Sequence, residues 1–317
     1  QITYALVENN VLKLLTTSVD GTGEVLLMTA KVFDENPVVQ LTDRQDMILY
    51  TESTLSGGTG AKTFISNIDG TERREVVSSD LALPKDLGQL WSPDGRFILY
   101  SFENNLWLYR LESGETTLVT DALTRKDAAA SLPLYAWHPK QDSLLYVKDT
   151  ATVVLYQIDS REGAELLDLG DQTIVQIYWP YANYIYAICA VPGGDRVIQK
   201  ITIASKSAEP VAENTLPEQA LVFDQESFDF VFSVDGIADA SRHAEEGLWL
   251  YDAETQRLLQ LVSESASVLI PVGYAREWSG QVYFKRVDGS TVTLGAVDLE
   301  SGDMTRLKYG RGLYLFE

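Results

Sequence analysis

The stretch "LWSPDGRFILYSFENNLWLYRLESGETTLV", residues 90–119, decides the fold. Its first part, Trp-Ser-Pro-Asp-Gly, ends an apolar segment in a tight turn, where Pro fixes φ and Gly supplies a positive φ. Two apolar and aromatic segments follow, and the second ends in another turn, Glu-Ser-Gly-Glu. Short apolar segments separated by turn residues predict consecutive antiparallel β-strands.

The turn after the third strand of this unit recurs along the chain. In each copy an apolar residue is followed by an acidic or small residue and then by further small residues. The acidic or small residue is Asp20, Asp69, Glu112, Asp159, Ala204, Glu254 or Glu300. Successive copies are 43 to 50 residues apart. A repeat of this length, without a sustained helical period, is typical of four-stranded propeller blades.

A second marker gives the same period. It is a bulky residue at the end of each first strand, namely Leu41, Trp91, Trp137, Tyr178, Phe223 and Tyr274. The clearest internal matches pair "WSPDGRFILY" with "WHPKQDSLLY" and "LWLYRLES" with "LWLYDAET". The two markers together predict a single all-β domain over residues 1–317, a seven-bladed β-propeller with four antiparallel strands in each blade.

The two ends of the chain complete the count of blades. The N-terminal segment contains three strand patterns, and residues 310–317 contain one. Pairing them completes the seventh blade, which closes the ring and removes strand edges that would promote aggregation. Because the chain starts at Gln1 and enters a strand pattern at once, we expect an anchor or another domain to precede it in a longer protein.

The motif of residues 90–119 resembles the TolB-like propellers of the WD-repeat-like superfamily. The match is fullest in "WSPDGRFILY" with "LWLY" and "ESGE" behind it, and "WHPKQDSLLY" and "YWPYANYIY" keep Trp and Pro. The resemblance implies a β-propeller fold. It also implies an extracytoplasmic location, either periplasmic or at the cell surface.

Charge limits the classes of partner. The chain has 25 basic and 46 acidic residues, for a formal net charge of −21. Nucleic acids and anionic membrane surfaces need dense Lys and Arg, so both are disfavoured. No apolar run is long enough to span a membrane. We expect a protein or peptide partner, and the oligomeric state stays open.

The residues that usually carry chemistry are scarce. Two histidines, His138 and His243, and one cysteine, Cys189, cannot build a typical structural zinc site, and no Gly-x-Ser-x-Gly elbow is present. His138 follows a strand at a turn, which favours a turn-capping role. Cys189 lies in the apolar "YIYAICAV" and is predicted to be buried. We therefore predict no enzymatic activity, no metal and no cofactor.

Two alternatives remain open. In a carbohydrate-active propeller, a lyase or hydrolase, paired carboxylates would face the channel, and Asp224 and Glu226 are the best candidates. In the other alternative, the chain is a structural module of a larger surface or assembly protein.

The leading hypothesis is a non-catalytic binding scaffold. The long insertions at 53–62, 120–133, 190–195 and 233–247 fall between second and third strands or between blades, which places them on one face. Long loops on a rigid scaffold commonly carry binding. Candidate partner-binding residues are the positive groups Arg125, Lys126, Arg242 and His243, together with Trp179 and Tyr181 near the channel mouth, since aromatic residues are common at interface hot spots.

Overall fold

The structure is a computed structural model. It describes residues 2–18, 22–32, 39–42, 44–53, 61–77, 91–102, 105–121, 134–192, 196–213, 221–224, 227–234, 240–274, 280–289, 291–310 and 313–316. Within these ranges the chain forms 27 β-strands, numbered β1 to β27 in chain order, and one 3-10 helix, Ala240–Glu245. Secondary structure is therefore almost entirely β, as predicted.

The strands of blades 1 to 4 have the following bounds. Blade 1 contains β1 (Ile2–Glu8), β2 (Val11–Thr17), β3 (Val25–Lys31) and the last strand of the chain, β27 (Leu313–Phe316). Blade 2 contains β4 (Val39–Leu41), β5 (Met47–Ser53), β6 (Ala61–Asn67) and β7 (Arg74–Val77). Blade 3 contains β8 (Phe97–Phe102), β9 (Asn105–Arg110) and β10 (Thr116–Thr120). Blade 4 contains β11 (Tyr135–Trp137), β12 (Ser143–Lys148), β13 (Thr152–Gln157) and β14 (Glu162–Asp168).

Blades 5 to 7 follow the same order. Blade 5 contains β15 (Thr173–Tyr181), β16 (Tyr184–Ala190), β17 (Arg196–Thr202) and β18 (Ser207–Glu213). Blade 6 contains β19 (Val222–Phe223), β20 (Phe230–Val234), β21 (Gly247–Asp252) and β22 (Arg257–Ser263). Blade 7 contains β23 (Val268–Tyr274), β24 (Gln281–Asp288), β25 (Thr291–Asp298) and β26 (Met304–Gly310).

The first-strand markers occupy equivalent positions in the sheets. Each pairs with a residue seven or eight positions further along, in the pairs Leu41↔Ile48, Trp137↔Leu144, Tyr178↔Tyr186, Phe223↔Phe230 and Tyr274↔Val282. In blade 3 the described part of the first strand pairs with β8 through the bridge from Trp91 to Ile98. This regular spacing confirms the predicted blade period.

The ring closes between the two ends of the chain. Strand β27 pairs antiparallel with β1, with Thr3 opposite Phe316 and Ala5 opposite Tyr314. The closing strand is shorter than the predicted segment 310–317, because Gly310 still pairs with Val292 in blade 7. The predicted closure is confirmed.

Apolar side chains fill the spaces between neighbouring blades. One cluster contains Phe97 of blade 3, Trp137 of blade 4 and Cys189 of blade 5, and another joins Tyr186 of blade 5 to Phe230 of blade 6. The rings of Phe97 and Trp137 stack with centroids 6.3 Å apart. First strands of neighbouring blades lie against each other, as β11 does against β15, which makes them the innermost strands. Cys189 is buried, as predicted.

Candidate functional site

The strand bounds place the four long connections at one end of the blades. Residues 54–60, 191–195 and 235–246 each join a second strand to a third strand, and residues 121–134 join blade 3 to blade 4. We call this end the long-loop face. The opposite end, the short-turn face, carries the turns between first and second strands and between third and fourth strands, for example 138–142 and 158–161. Most residues of the long connections lie outside the described ranges.

Two of the four positive residues predicted to bind a partner lie in the described part of the long-loop face. Arg125 and Lys126 lie in the connection between blades 3 and 4, outside the described residues. Arg242 and His243 belong to the 3-10 helix Ala240–Glu245, which joins β20 to β21. Only the backbone of these two residues is described. Their role in binding stays a prediction.

That helix is fastened to blade 6 through its own carbonyl groups. Trp249 Nε1 donates a hydrogen bond of 2.8 Å to the carbonyl of Glu245, and Gln260 Nε2 donates one of 2.7 Å to the carbonyl of Ala244. Gly247, two residues after the end of the helix, has φ +133°, and a Cβ there would collide with the carbonyl of Val262. The chain therefore leaves the helix along a path that only glycine permits.

Trp179 and Tyr181 lie elsewhere, at the short-turn end of β15. They are only 7% and 6% exposed, respectively. The ring of Trp179 packs against His138, and the Tyr181 hydroxyl donates a 2.6 Å hydrogen bond to the carbonyl of Asp224. These two aromatic side chains present little surface and lie at the opposite end of the blades from the helix that contains Arg242 and His243. A partner-binding role for them stays a prediction.

A cleft of about 230 Å³ opens on the short-turn face between blades 3 and 4. We call it the blade 3–4 cleft, and its walls are the turn at 92–97 and the turn at 138–142. These are the turns of the two most similar repeats, "WSPDGRF" and "WHPKQDS". Their likeness was visible in the sequence, but a cavity between them depends on the distance between two blades.

Arg96 forms ion pairs with both walls of the cleft. Its guanidinium forms ion pairs with Asp94 in its own turn and with Asp142 in the neighbouring turn, the latter at 2.5 Å. Ser92 Oγ donates to Asp94 Oδ1 at 2.6 Å and accepts from the Phe97 amide at 2.9 Å. Hydrogen bonds from Ser92 and Arg96 outweigh the effect of burial and lower the pKa of Asp94, so its carboxylate is ionised at neutral pH.

His138 caps the second wall, as predicted. Its Nδ1 accepts hydrogen bonds from the amides of Lys140 at 2.9 Å and Gln141 at 3.0 Å. Because Nδ1 is an acceptor, the imidazole is neutral, with its proton on Nε2. Burial, with the nearby Lys140 ammonium adding to it, lowers the pKa of His138.

The carboxylates proposed for carbohydrate chemistry are only partly described. Asp224 Oδ2 accepts a 2.7 Å hydrogen bond from Ser227, and Glu226 lies outside the described residues. Their pairing therefore stays a prediction. Within the described ranges, no group of three or more His, Cys, Asp or Glu side chains could hold a metal ion. No helix in that part of the chain is long and apolar enough to cross a membrane.

No protein-family profile and no curated protein sequence matches the chain. Among solved structures, a putative 6-phosphogluconolactonase from Bacteroides uniformis is similar with a TM-score of 0.62 and 8% identity over 99% of both chains. Dipeptidyl peptidase 4 of Porphyromonas gingivalis has a TM-score of 0.61 and 14% identity over 97% of this chain and 52% of its own. This chain thus spans about half the length of that peptidase. TolB from Acinetobacter baumannii has a TM-score of 0.52 and 13% identity over 98% of this chain and 82% of its own.

At these identities the likeness shows the fold alone. It confirms the predicted β-propeller fold, which TolB of Acinetobacter baumannii shares. The three proteins are a putative lactonase, a peptidase and TolB, so proteins with this fold differ in function. This is expected, because function depends on the residues of a site and not on the fold that carries it.

Proposed function

We propose that this TolB-like propeller is a non-catalytic scaffold that binds a protein or peptide partner through its long-loop face. The observation that carries the proposal is the placement of the two longest of these connections, 121–134 and 235–246, which leave the same end of the blades. The ring beneath them is closed by the pairing of β27 with β1. A closed ring holds the strand ends from which these loops leave in fixed relative positions, as a binding face requires.

The connection in blade 6 supports this proposal in detail. Its helix is held by hydrogen bonds from Trp249 and Gln260 to the carbonyls of Glu245 and Ala244. A loop that is already ordered loses less conformational entropy when it binds, so more of the contact energy appears as affinity. Arg242 and His243 belong to this anchored segment.

A non-catalytic role is supported by the structural roles of Cys189 and His138, the residue types that most often act as nucleophile and base. Burial raises the pKa of the Cys189 thiol to about 12, so the thiolate that acts as a nucleophile is not formed near neutral pH. His138 uses Nδ1 to hold a turn. The proposal includes an extracytoplasmic location, supported by the resemblance to TolB-like propellers.

The test compares charge reversals on the two faces. One variant carries Arg125→Glu and Lys126→Glu, a second carries Arg242→Glu and His243→Glu, and a control carries Arg161→Glu and Lys206→Glu on the short-turn face. Arg161 forms an ion pair with exposed Glu115, and such exposed pairs contribute little to stability, so the control is expected to fold normally. Each protein is immobilised and used to capture partners from native envelope extract, and the captured proteins are quantified by mass spectrometry with isotope labelling.

We expect at least one protein to be captured by the wild type and the control but lost with either loop variant. Purified, it should then bind the wild type with a measurable Kd. If both loop variants capture the same proteins as the control, the long-loop face is not the binding face and the proposal fails.

A further inference from the structure

The outermost strand of blade 6 exposes two large apolar side chains in succession. Leu258 and Leu259 of β22 are 38% and 48% exposed, respectively. They lie opposite Tyr251 and Leu250 of β21, and β22 is the last strand of its sheet among the described residues. Because successive side chains point to opposite faces of a sheet, both faces of the blade are apolar up to this edge. We call residues 257–260 the β22 edge.

The corresponding edges of the neighbouring blades are built differently. In blades 4 to 7, the four residues that follow the turn between the third strand and the outermost strand are all exposed. They read EGAE at 162–165, SAEP at 207–210, RLLQ at 257–260 and DMTR at 303–306. Charged residues and proline on an edge strand hinder its pairing with another chain. Among these four edges, only the β22 edge has three uncharged residues in a row, and two of them are leucine.

Contacts beyond the β22 edge set its length and hold it in place. Gly302, in the turn between β25 and β26 of blade 7, lies so close to the Leu261 carbonyl that a Cβ on it would be 2.6 Å from that oxygen. Gln260 Nε2 donates hydrogen bonds to the carbonyls of Ala244 and Glu246. The four residues before Leu261 therefore form a short, fixed strand edge. The backbone of such an edge can form hydrogen bonds with one more extended chain.

Charge indicates which kind of chain fits. Acidic residues border the β22 edge, with Asp252 and Glu254 in the turn before it and Asp303 next to Gly302. Arg257, the one cation of the edge, lies opposite Asp252 in the pairing of β21 with β22. A second copy of the protein would bring two net charges of −21 together, which opposes self-association. A strand with basic residues on either side of an apolar centre would be attracted.

We propose that the β22 edge binds an extended segment of a basic partner protein by β-strand addition. Two adjacent apolar residues of the segment lie beside Leu258 and Leu259, and lysine or arginine residues on either side of them face the acidic border. Backbone hydrogen bonds hold the segment, and the apolar side chains set its register. This site is on the outer rim of blade 6, separate from the long-loop face, and does not rest on the function proposed for that face.

The test adds the hexapeptide Lys-Thr-Val-Leu-Thr-Lys, blocked at both ends, to the isotope-labelled full chain and follows its backbone amide signals by NMR. One control peptide has both central residues N-methylated, which removes their backbone donors. Another has glutamate in place of both lysines. The matched variants are Leu259→Thr and Leu118→Thr, since Leu118 is a 43% exposed leucine on β10, the outer strand of blade 3. Threonine suits a strand, so both variants are expected to fold.

We expect the lysine peptide to shift the amide signals of residues 257–260 saturably and to leave those of 162–165 unchanged. Leu259→Thr should weaken its binding about threefold, the effect of losing one apolar cross-strand contact, and Leu118→Thr should not change its Kd. The proposal is overturned if the lysine peptide shifts none of these signals, or if either control peptide binds as tightly. It is also overturned if both variants weaken binding alike. Signals of 257–260 that shift with protein concentration alone would assign the edge to a second copy and reject the proposal.

Discussion

His138 and Trp179 pack edge to face across the boundary between blades 4 and 5, with ring centroids 4.5 Å apart and ring planes at 74°. Each directly follows the marker residue of its first strand, Trp137 or Tyr178, so the two rings occupy the same position in adjacent blades. Nδ1 of His138 accepts two amide hydrogen bonds, which only the neutral imidazole can do. The contact between the blades therefore depends on an uncharged histidine.

This arrangement predicts a loss of stability in mildly acidic solution. The pKa of His138 is lowered in the folded state by burial and by Lys140, so between the folded pKa and the unfolded value of about 6.5 the unfolded chain binds more protons. The stabilising contribution is complete above about pH 6.5 and is lost as the pH falls toward the folded pKa. Urea unfolding at about pH 7.5 and about pH 5.5 measures the difference.

The control for this prediction is His138→Ser, since Ser92 caps the equivalent turn of blade 3 through its hydroxyl. The variant should be less stable at neutral pH because it loses the packing on Trp179. It should also lose less stability between the two pH values than the wild type does. An equal loss in both proteins would assign the pH dependence to other groups.

Removing residues 313–317 should open the ring. The deletion takes away β27, which pairs with β1, and leaves Gly310 in place to complete β26. We expect the urea midpoint to fall and the unfolding transition to broaden, because blade 1 loses its innermost strand and exposes the edge of β1. A truncated chain that unfolds as sharply and at the same midpoint as the intact chain would contradict closure at this seam.

The loss of stability caused by a substitution at Gly95 should depend on the backbone conformation that the new residue tolerates and not on the size of its side chain. Gly95 has φ +71°, and a Cβ there would meet only Arg44 and Thr42 side-chain atoms at 3.6 Å, which is ordinary contact. Gly95→Val should therefore destabilise the fold by about 1–3 kcal/mol through strain at positive φ. Gly95→Asn should cost clearly less, because asparagine tolerates this region. Thermal unfolding of both variants provides the comparison, and equal costs would point to crowding instead.

Trp249→Phe should loosen the helix at Ala240–Glu245 while leaving the blade intact. The substitution removes the Nε1 donor to the Glu245 carbonyl and keeps a ring in the strand. We expect faster amide hydrogen exchange over residues 240–246 and little change in blade 5, with global stability falling by about 1 kcal/mol or less, the usual contribution of one hydrogen bond. Under the proposed function, partner affinity should fall as well. Unchanged exchange over this segment would show that the indole bond does not hold the helix.

Much of the fold was predictable from residues close together in the chain. A marker such as Trp137 pairs with Leu144 only seven positions away, and turns such as 138–142 lie between them. Strand, turn and strand are local events, set by apolar alternation and by turn residues, so a period near 47 residues was enough to predict the blades. Closure also followed, because three strands at one end and one at the other leave a single way to complete a blade.

Only the tertiary structure decided what each side chain meets in the next blade. Trp179 was a candidate binding residue in the sequence, and only the structure shows that it packs against His138 of the preceding blade. The blade 3–4 cleft exists because Arg96 reaches Asp142, 46 positions away, and holds two turns a fixed distance apart. Such contacts depend on how one blade is set against its neighbour, which is determined by packing of the whole ring and leaves no local pattern in the sequence.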